Sequence, residues 1–258
     1  MAQSNQNDRG LAAQTVFVTG AVSGIGRACA LGLARAGAHL ALFDLHADGI
    51  AALAETTRAE GVNVSCHVGD VTNSAELDAA VAAAATHHGK IHGGVNCAGI
   101  LGDSAHLADY PEDMWRRVLD VNVMGVVNAM KAQLNVMVRQ GYGNIVNIAS
   151  AAGIIGWAGH SAYVASKHAV VGLTKTAGLE YAARGIRVNS VCPAFIYTNM
   201  TGPLFEAAGV EEAAIAAHPI GRLGQPEEVA EAAMWLLSAR SSFAAGSNLV
   251  LDGGSTVD

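Results

Sequence analysis

Charge is scarce in this chain. Only 14% of its 258 residues are Asp, Glu, Lys or Arg, and the formal net charge is −7. No Lys/Arg cluster occurs, so nothing is available to replace the counterions of a nucleic acid, and that partner class is excluded. Cysteine is equally sparse. Cys29, Cys66, Cys97 and Cys192 form no C-x-x-C pair, and three of the four sit in apolar runs. Buried free thiols in a reducing cytoplasm are expected. No apolar stretch reaches membrane-spanning length, so no membrane partner is expected. The opening MAQSNQNDRG lacks the cationic start and apolar run of a secretory leader. Ten histidines are present without ligand spacing: His87 and His88 are adjacent, and CHVGD offers one Cys and one His. No metal is expected. Repeats, low-complexity tracts and composition breaks are also missing, so residues 1–258 are expected to form one domain.

Apolar residues (51%) and glycine (30 residues) are plentiful. A chain of this length buries a sizeable core. Short β-branched runs alternate with Ala-rich segments of helical length. Strands are expected at TVFVT (15–19), LALF (40–43), VNVSC, GGVNCAG, NIVNIAS, IRVNSVC and SNLVL. Helices are expected at 24–36, 47–60, 74–88, 112–139, 161–183 and 226–238. Strand–helix alternation predicts an α/β fold with parallel strands and right-handed crossovers.

TGAVSGIG (19–26) follows the first strand and opens the first helix. Gly20, Gly24 and Gly26 allow a tight turn and a close approach to a pyrophosphate, which a helix N-terminus attracts. The spacing differs from the common G-x-G-x-x-G, and a ligand-free turn is the plain alternative; the position in the first βα unit favours the ligand. Asp44 ends the second strand with no arginine beside it. Its carboxylate suits both adenosine-ribose hydroxyls and would repel a 2′-phosphate, which points to NAD rather than NADP. Asp70, before Val71, could bond an adenine amine or could be a turn residue, with Thr72 or Ser74 capping the next helix.

SAYVASK (161–167) places Tyr163 and Lys167 on one helical face. A free phenol with a pKa near ~10 is too weak a base at neutral pH, and a neighbouring ammonium favours the phenolate. Ser150 ends the NIVNIAS run. Its hydroxyl suits orientation of a substrate oxygen, or an ordinary turn bond. Asn122 interrupts the apolar VLDVNVMGVV, where a solvated asparagine is unexpected. His160 could face substrate or sit in a surface loop.

TGAVSGIG, NCAG (96–99), Asn122, Ser150 and YVASK, in this order and spacing, resemble the short-chain dehydrogenase/reductase family from Thr15 to the LDGG at 251–254. The resemblance implies a single-domain, Rossmann-type, doubly wound sheet of about seven parallel strands with helices on both faces. It also implies a nicotinamide cofactor and a homotetramer. The implied catalytic set is Asn122, Ser150, Tyr163 and Lys167, with Asn122 holding a water beside the lysine and Lys167 also bonding the nicotinamide ribose. The implied cofactor contacts are Gly20, Ser23, Gly24, Ile25, Gly26, Asp44, Leu45, Asp70, Val71, Asn96, Ala98, Gly99, Tyr163, Lys167, Pro193, Ile196 and Thr198. Two departures stand out. Cys97 replaces the second Asn of Asn-Asn-Ala-Gly, and Ala194 replaces the glycine after Pro193.

Leu101, Ile154, Trp157, Phe195, Met200 and Leu204 suggest an apolar pocket for a cyclic or aliphatic secondary alcohol and its ketone. Two alternatives are a 3-oxoacyl-carrier-protein reductase, disfavoured by Asp44 and the low charge, and a catalytically silent dinucleotide sensor or scaffold. Residues 199–218 combine Leu204, Phe205 and Ile215 with Gly202, Pro203 and Gly209. This broken periodicity predicts a mobile substrate lid, with a static helical hairpin as the alternative.

Overall fold

A computed structural model describes residues 10–257. Residues 1–9, which hold most of the stretch expected not to be a secretory leader, and the terminal Asp258 lie outside them. Seven strands are formed: β1 (Thr15–Thr19), β2 (His39–Asp44), β3 (Val64–Val68), β4 (Gly93–Asn96), β5 (Gly143–Ile148), β6 (Ile186–Pro193) and β7 (Asn248–Leu251). They form one sheet in the order β3-β2-β1-β4-β5-β6-β7, and every pairing is parallel. Strand order therefore reverses between β1 and β4. Crossovers leave β1 toward one edge and β4 toward the other, and a crevice opens above the strand ends where they part.

The helices are α1 (Gly24–Arg35), α2 (Ala47–Arg58), α3 (Ser74–His88), α4 (Glu112–Leu119), α5 (Gly125–Gln140), α6 (Ser161–Tyr181), α7 (Val210–Ala216) and α8 (Pro226–Leu237). Leu33, Ile50, Leu53, Val229 and Met234, from α1, α2 and α8, pack with one face of the sheet. Leu77, Val81, Met130, Met137 and Val170, from α3, α5 and α6, cover the other with Phe17 and Phe43. Each such apolar side chain contributes roughly 1.5–3 kcal/mol on burial. Covering both faces explains why the strand sequences read as continuous apolar runs.

Two expectations need correction. The single helix expected at 112–139 is divided by a π-helical stretch, Asp120–Met124. Periodicity cannot reveal this, because apolar residues continue through the wider turn. Asn122 supplies the local reason, since its side-chain amide bonds both backbone groups of Ile100. Gly125 follows, where a Cβ would lie 2.7 Å from Val71 Cγ2. The cap of α3 is neither Thr72 nor Ser74 but Asn73, whose Oδ1 accepts from the amides of Ala75 and Glu76.

Candidate active site

A cleft of about 640 Å³ lies over the strand ends at the reversal point. One wall is the glycine loop between β1 and α1. Gly20 has φ +62°, and a Cβ there would approach the Ala98 backbone to 2.8 Å. Gly24 has φ +48°, and its missing Cβ would touch the Thr198 side chain at 3.4 Å. A side chain at Gly20 would clash with that backbone, and one at Gly24 would be strained by the positive φ. Ser23 occupies the N-cap of α1 without a side-chain bond to the helix, and no acidic residue sits in the first turn. The helix's positive end faces the cleft unopposed, so the loop fits a pyrophosphate.

At the β2 end, Asp44 is nearly buried. Its Oδ2 accepts from the Val22 amide and its Oδ1 from the His46 amide, each at 3.2 Å. The same carboxylate thus ties the glycine loop to β2 and keeps lone pairs for a ligand's hydroxyls. Asp70 is a turn residue that also lines the cleft. Its Oδ1 accepts from the Thr72 amide at 2.9 Å, and its Oδ2 faces the Arg117 guanidinium at 3.8 Å. The Thr72 bond, with help from Arg117, holds its carboxyl below the usual range.

Across the cleft stand Ser150, Tyr163 and Lys167. Ser150 lies two residues beyond β5, lines the cleft and accepts from the Ala152 amide at 3.1 Å, the ordinary turn bond expected as its alternative role. Tyr163 and Lys167 come from the first two turns of α6. The Lys167 ammonium lies 5.5 Å from the Tyr163 ring centroid and donates to the Ile148 carbonyl at 2.9 Å. Here the structure departs from the simple tuning expected. Burial pushes the Tyr163 phenol up, with the Ser150 hydroxyl acting the other way. Burial also pulls the Lys167 amine down to about 8. Desolvation disfavours both charges because no carboxylate is placed beside the pair.

Asn96 does not line the cleft, contrary to expectation. It is buried at the end of β4, donating to Asn147 Oδ1 at 2.8 Å and accepting from Gln133 Nε2 at 2.9 Å. Its side chain points between the sheet and the helices α5 and α6, where it completes a polar network reaching Thr174. Asn122 does not line the cleft either. Its Oδ1 accepts from the Ile100 amide, and its Nδ2 donates to the Ile100 carbonyl and to Ser166 Oγ. The asparagine supports the loop beside Lys167, and its side chain makes no contact with that residue's amine. The other expected cofactor residues all line the cleft: Gly20, Ser23, Gly24, Ile25, Gly26, Asp44, Leu45, Asp70, Val71, Ala98, Gly99, Tyr163, Lys167, Pro193, Ile196 and Thr198.

The two departures are accommodated. Cys97 lies under the glycine loop, its Cβ 3.3 Å from where a Gly26 Cβ would be. It also lines the cleft, and the neighbouring Cys29 thiol, with burial, holds its thiol well above the ordinary value. Ala194 lines the cleft, its amide bonded to the Leu251 carbonyl at 3.2 Å. Of the six apolar residues expected at the substrate, Met200 lines the cleft. Trp157 stands edge-on to both Tyr163 and Phe195 and stacks on His160, whose ring is buried.

The sequence pattern of the family described as "Enoyl-(Acyl carrier protein) reductase" matches residues 20–256. The fold, the glycine loop and the Ser150, Tyr163 and Lys167 cluster fall within that span. The chain belongs to the short-chain dehydrogenase/reductase family.

Like other members it is an oxidoreductase of nicotinamide dinucleotides. Cyclohexanol dehydrogenase of Acinetobacter sp. (strain SE19) is 41% identical over 243 residues, 94% of this chain and 95% of that protein. The 3-oxoacyl-[acyl-carrier-protein] reductase FabG of Thermotoga maritima is 38% identical over 244 residues, covering 95% and 98%. An NAD+-bound xylitol dehydrogenase structure superposes with a TM-score of 0.90 at 34% identity, covering 95% and 99%. Among the cleft residues that sequence reasoning missed are Arg117 and Val121 on the α4 side, and Thr201. The i, i+4 spacing of the first two was the available signal.

Proposed function

We propose that the protein is an NAD-preferring dehydrogenase that interconverts a secondary alcohol and its ketone on a cyclic or otherwise apolar substrate, with Tyr163 as acid and base. The convergence of Ser150, Tyr163 and Lys167 on one cleft, with Asp44 at its far end, carries this reading. The apolar Met200, Val121 and Ile196 in the cleft lining and the similarity to cyclohexanol dehydrogenase support the substrate class.

A nicotinamide group supplies the hydride acceptor when bound. Ser150 holds the substrate oxygen by a hydrogen bond that strengthens as negative charge develops. Tyr163 takes the hydroxyl proton. In the free protein burial keeps the phenol protonated, so its deprotonation belongs to the filled site. There the positive charge of the oxidised ring adds to that of Lys167, and each unit of pKa lowering corresponds to ~1.4 kcal/mol. Lys167 keeps the phenolate favourable and bonds the ribose. The half-exposed rim of Met200 and Tyr197 excludes water once covered.

The preference for NAD rests on Asp44. A 2′-phosphate at ~4 Å from its carboxylate would meet repulsion of about 4 kcal/mol at an effective dielectric of ~20, reduced by salt. A second reading, 3-oxoacyl-carrier-protein reductase, is favoured by the family description and the Thermotoga maritima relative. Asp44 and the lack of a basic cluster oppose it. A panel of cyclic and aliphatic alcohols, their ketones and an acetoacetyl thioester, followed by nicotinamide absorbance with each cofactor, separates the readings. NAD-dependent oxidation of cyclic alcohols is expected. NADPH-dependent reduction of the thioester would replace the first reading with the second. Tight NADH binding without turnover of any member would leave a silent dinucleotide sensor.

A further inference from the structure

Arg117 occupies a place in the cleft that the chemistry above does not use. It lies on α4 one turn before Val121, so the two residues share a helix face. Val121 and Val71 are buried and form an apolar floor. Asp70 stands at the edge, with Arg117 Nη2 3.8 Å from its Oδ2. All four residues line the cleft, and Asp70 and Val71 follow β3, the strand beyond β2 and its Asp44. The glycine loop fits a pyrophosphate and Asp44 a ribose, so the group beyond Asp44 is the base of the dinucleotide. This corner therefore offers a flat apolar floor, a carboxylate edge and a guanidinium rim.

The guanidinium is half exposed. It carries five N–H donors, and among the described residues its contact is the long one to Asp70. A planar, weakly hydrated cation of this kind stacks readily on a π face. The Asp70 carboxylate has a separate constraint. Its Oδ1 is occupied by Thr72, and its backbone amide donates to Glu76 Oε2 at 2.7 Å. Oδ2 is the atom left to accept from an exocyclic amine, and Arg117 is what faces it.

We propose that Arg117 is a cofactor-binding residue that covers the face of the adenine ring and holds Asp70 Oδ2 toward the adenine amino group. The inference rests on the dinucleotide reading of the cleft, and its test separates the two.

NADH binding is measured by fluorescence titration for the wild type, Arg117→Met and Arg117→Lys, alongside reduced nicotinamide mononucleotide, which lacks the adenosine half. Both variants are checked for an unchanged thermal midpoint, since the position is half exposed. The methionine variant is expected to weaken NADH about five- to tenfold, in keeping with a desolvated cation–π contact, and to leave the mononucleotide unchanged. Lysine, which is charged but not planar, is expected to restore only a minor part. Equal affinity of wild type and Arg117→Met for NADH would overturn the proposal. So would an equal loss for both ligands, which would mean a structural effect, or full rescue by lysine, which would mean charge alone. Failure of the wild type to bind NADH would overturn the dinucleotide reading itself, and this inference with it.

Discussion

At Tyr163 the fold works against the charge that the proposed proton transfer needs. Burial pushes the phenol up, and the nearest cation is itself pulled down to about 8. Tyr163→Phe is expected to lower kcat by about 10²–10⁴-fold while the NADH dissociation constant stays near the wild-type value. Substantial residual turnover would remove the proton-transfer role. Lys167→Ala is expected to weaken both turnover and NADH binding. Asn96 behaves oppositely. Its truncation to Ala removes the partner of the Gln133 amide and of Asn147 Oδ1 and is expected to cost roughly 1–3 kcal/mol in urea unfolding, with NADH affinity unmoved. A shifted affinity at unchanged stability would return Asn96 to the cofactor site. These residues also show where sequence reading succeeds and where it stops. Spacing along one strand or helix located Gly20, Asp44, Tyr163 and Lys167. It could not tell which way Asn96 points, because that depends on Gln133 and Asn147, far away in sequence. Nor could it reveal that Asn122 clasps Ile100, since the π turn that aims it leaves no mark in the apolar pattern.

The elements differ in how firmly they are held. After β6 the chain passes the cleft through Thr198, Met200 and Thr201. It then forms a short 3-10 turn at Gly202–Glu206 and the seven-residue α7, entered through Gly209 at φ +81°. Phe205 meets Phe195 and Tyr197 by ring contacts alone. Residues 199–218 are expected to act as a lid and to gain hydrogen-exchange protection when NAD and a substrate analogue bind together. Unchanged protection would leave a static helical pair. A different sensitivity lies at the β3 edge. His88 of α3 meets His87 edge-on, lies 6.2 Å from the His39 ring, and shares Ser65 Oγ with His67. Burial, followed by the neighbouring His87 and His39, pulls its pKa to about 4. The folded value is below the unfolded one, so its neutral form stabilises the fold above about 6.5, and that contribution is lost as pH falls from 6.5 toward 4. Urea midpoints are expected to drop less between pH 7 and pH 5 in His88→Gln than in wild type. Parallel drops would show that this histidine is not responsible. At the end of α3 the rings of these adjacent histidines meet edge-on.

At the scale of the whole molecule, large apolar side chains remain uncovered. Leu179 on α6 is 85% exposed, and Phe243, before β7, is fully exposed. Met124, Trp235 and Val250 add to them. We propose that the protein assembles as a homotetramer that covers these positions. Light scattering at micromolar concentration is expected to give four times the chain mass, and a monomer would refute it. The parallel sheet of about seven strands with helices on both faces was legible beforehand because the inner strands are buried along their length and every connection is helical. One internal feature also bears on how the sheet comes together. Asn96 and Asn147 are direct partners across β4 and β5 and are bonded through their side chains. Sliding one strand by a single residue would turn one amide to the opposite face and strand its partners in a dry interior, each at a cost of roughly 1–3 kcal/mol. An otherwise uniform apolar sheet would accept such a slip almost without penalty. The buried amides therefore act as an alignment mark, read only when the two strands meet in step, and a misassembled chain fails that reading before the cleft above it can form.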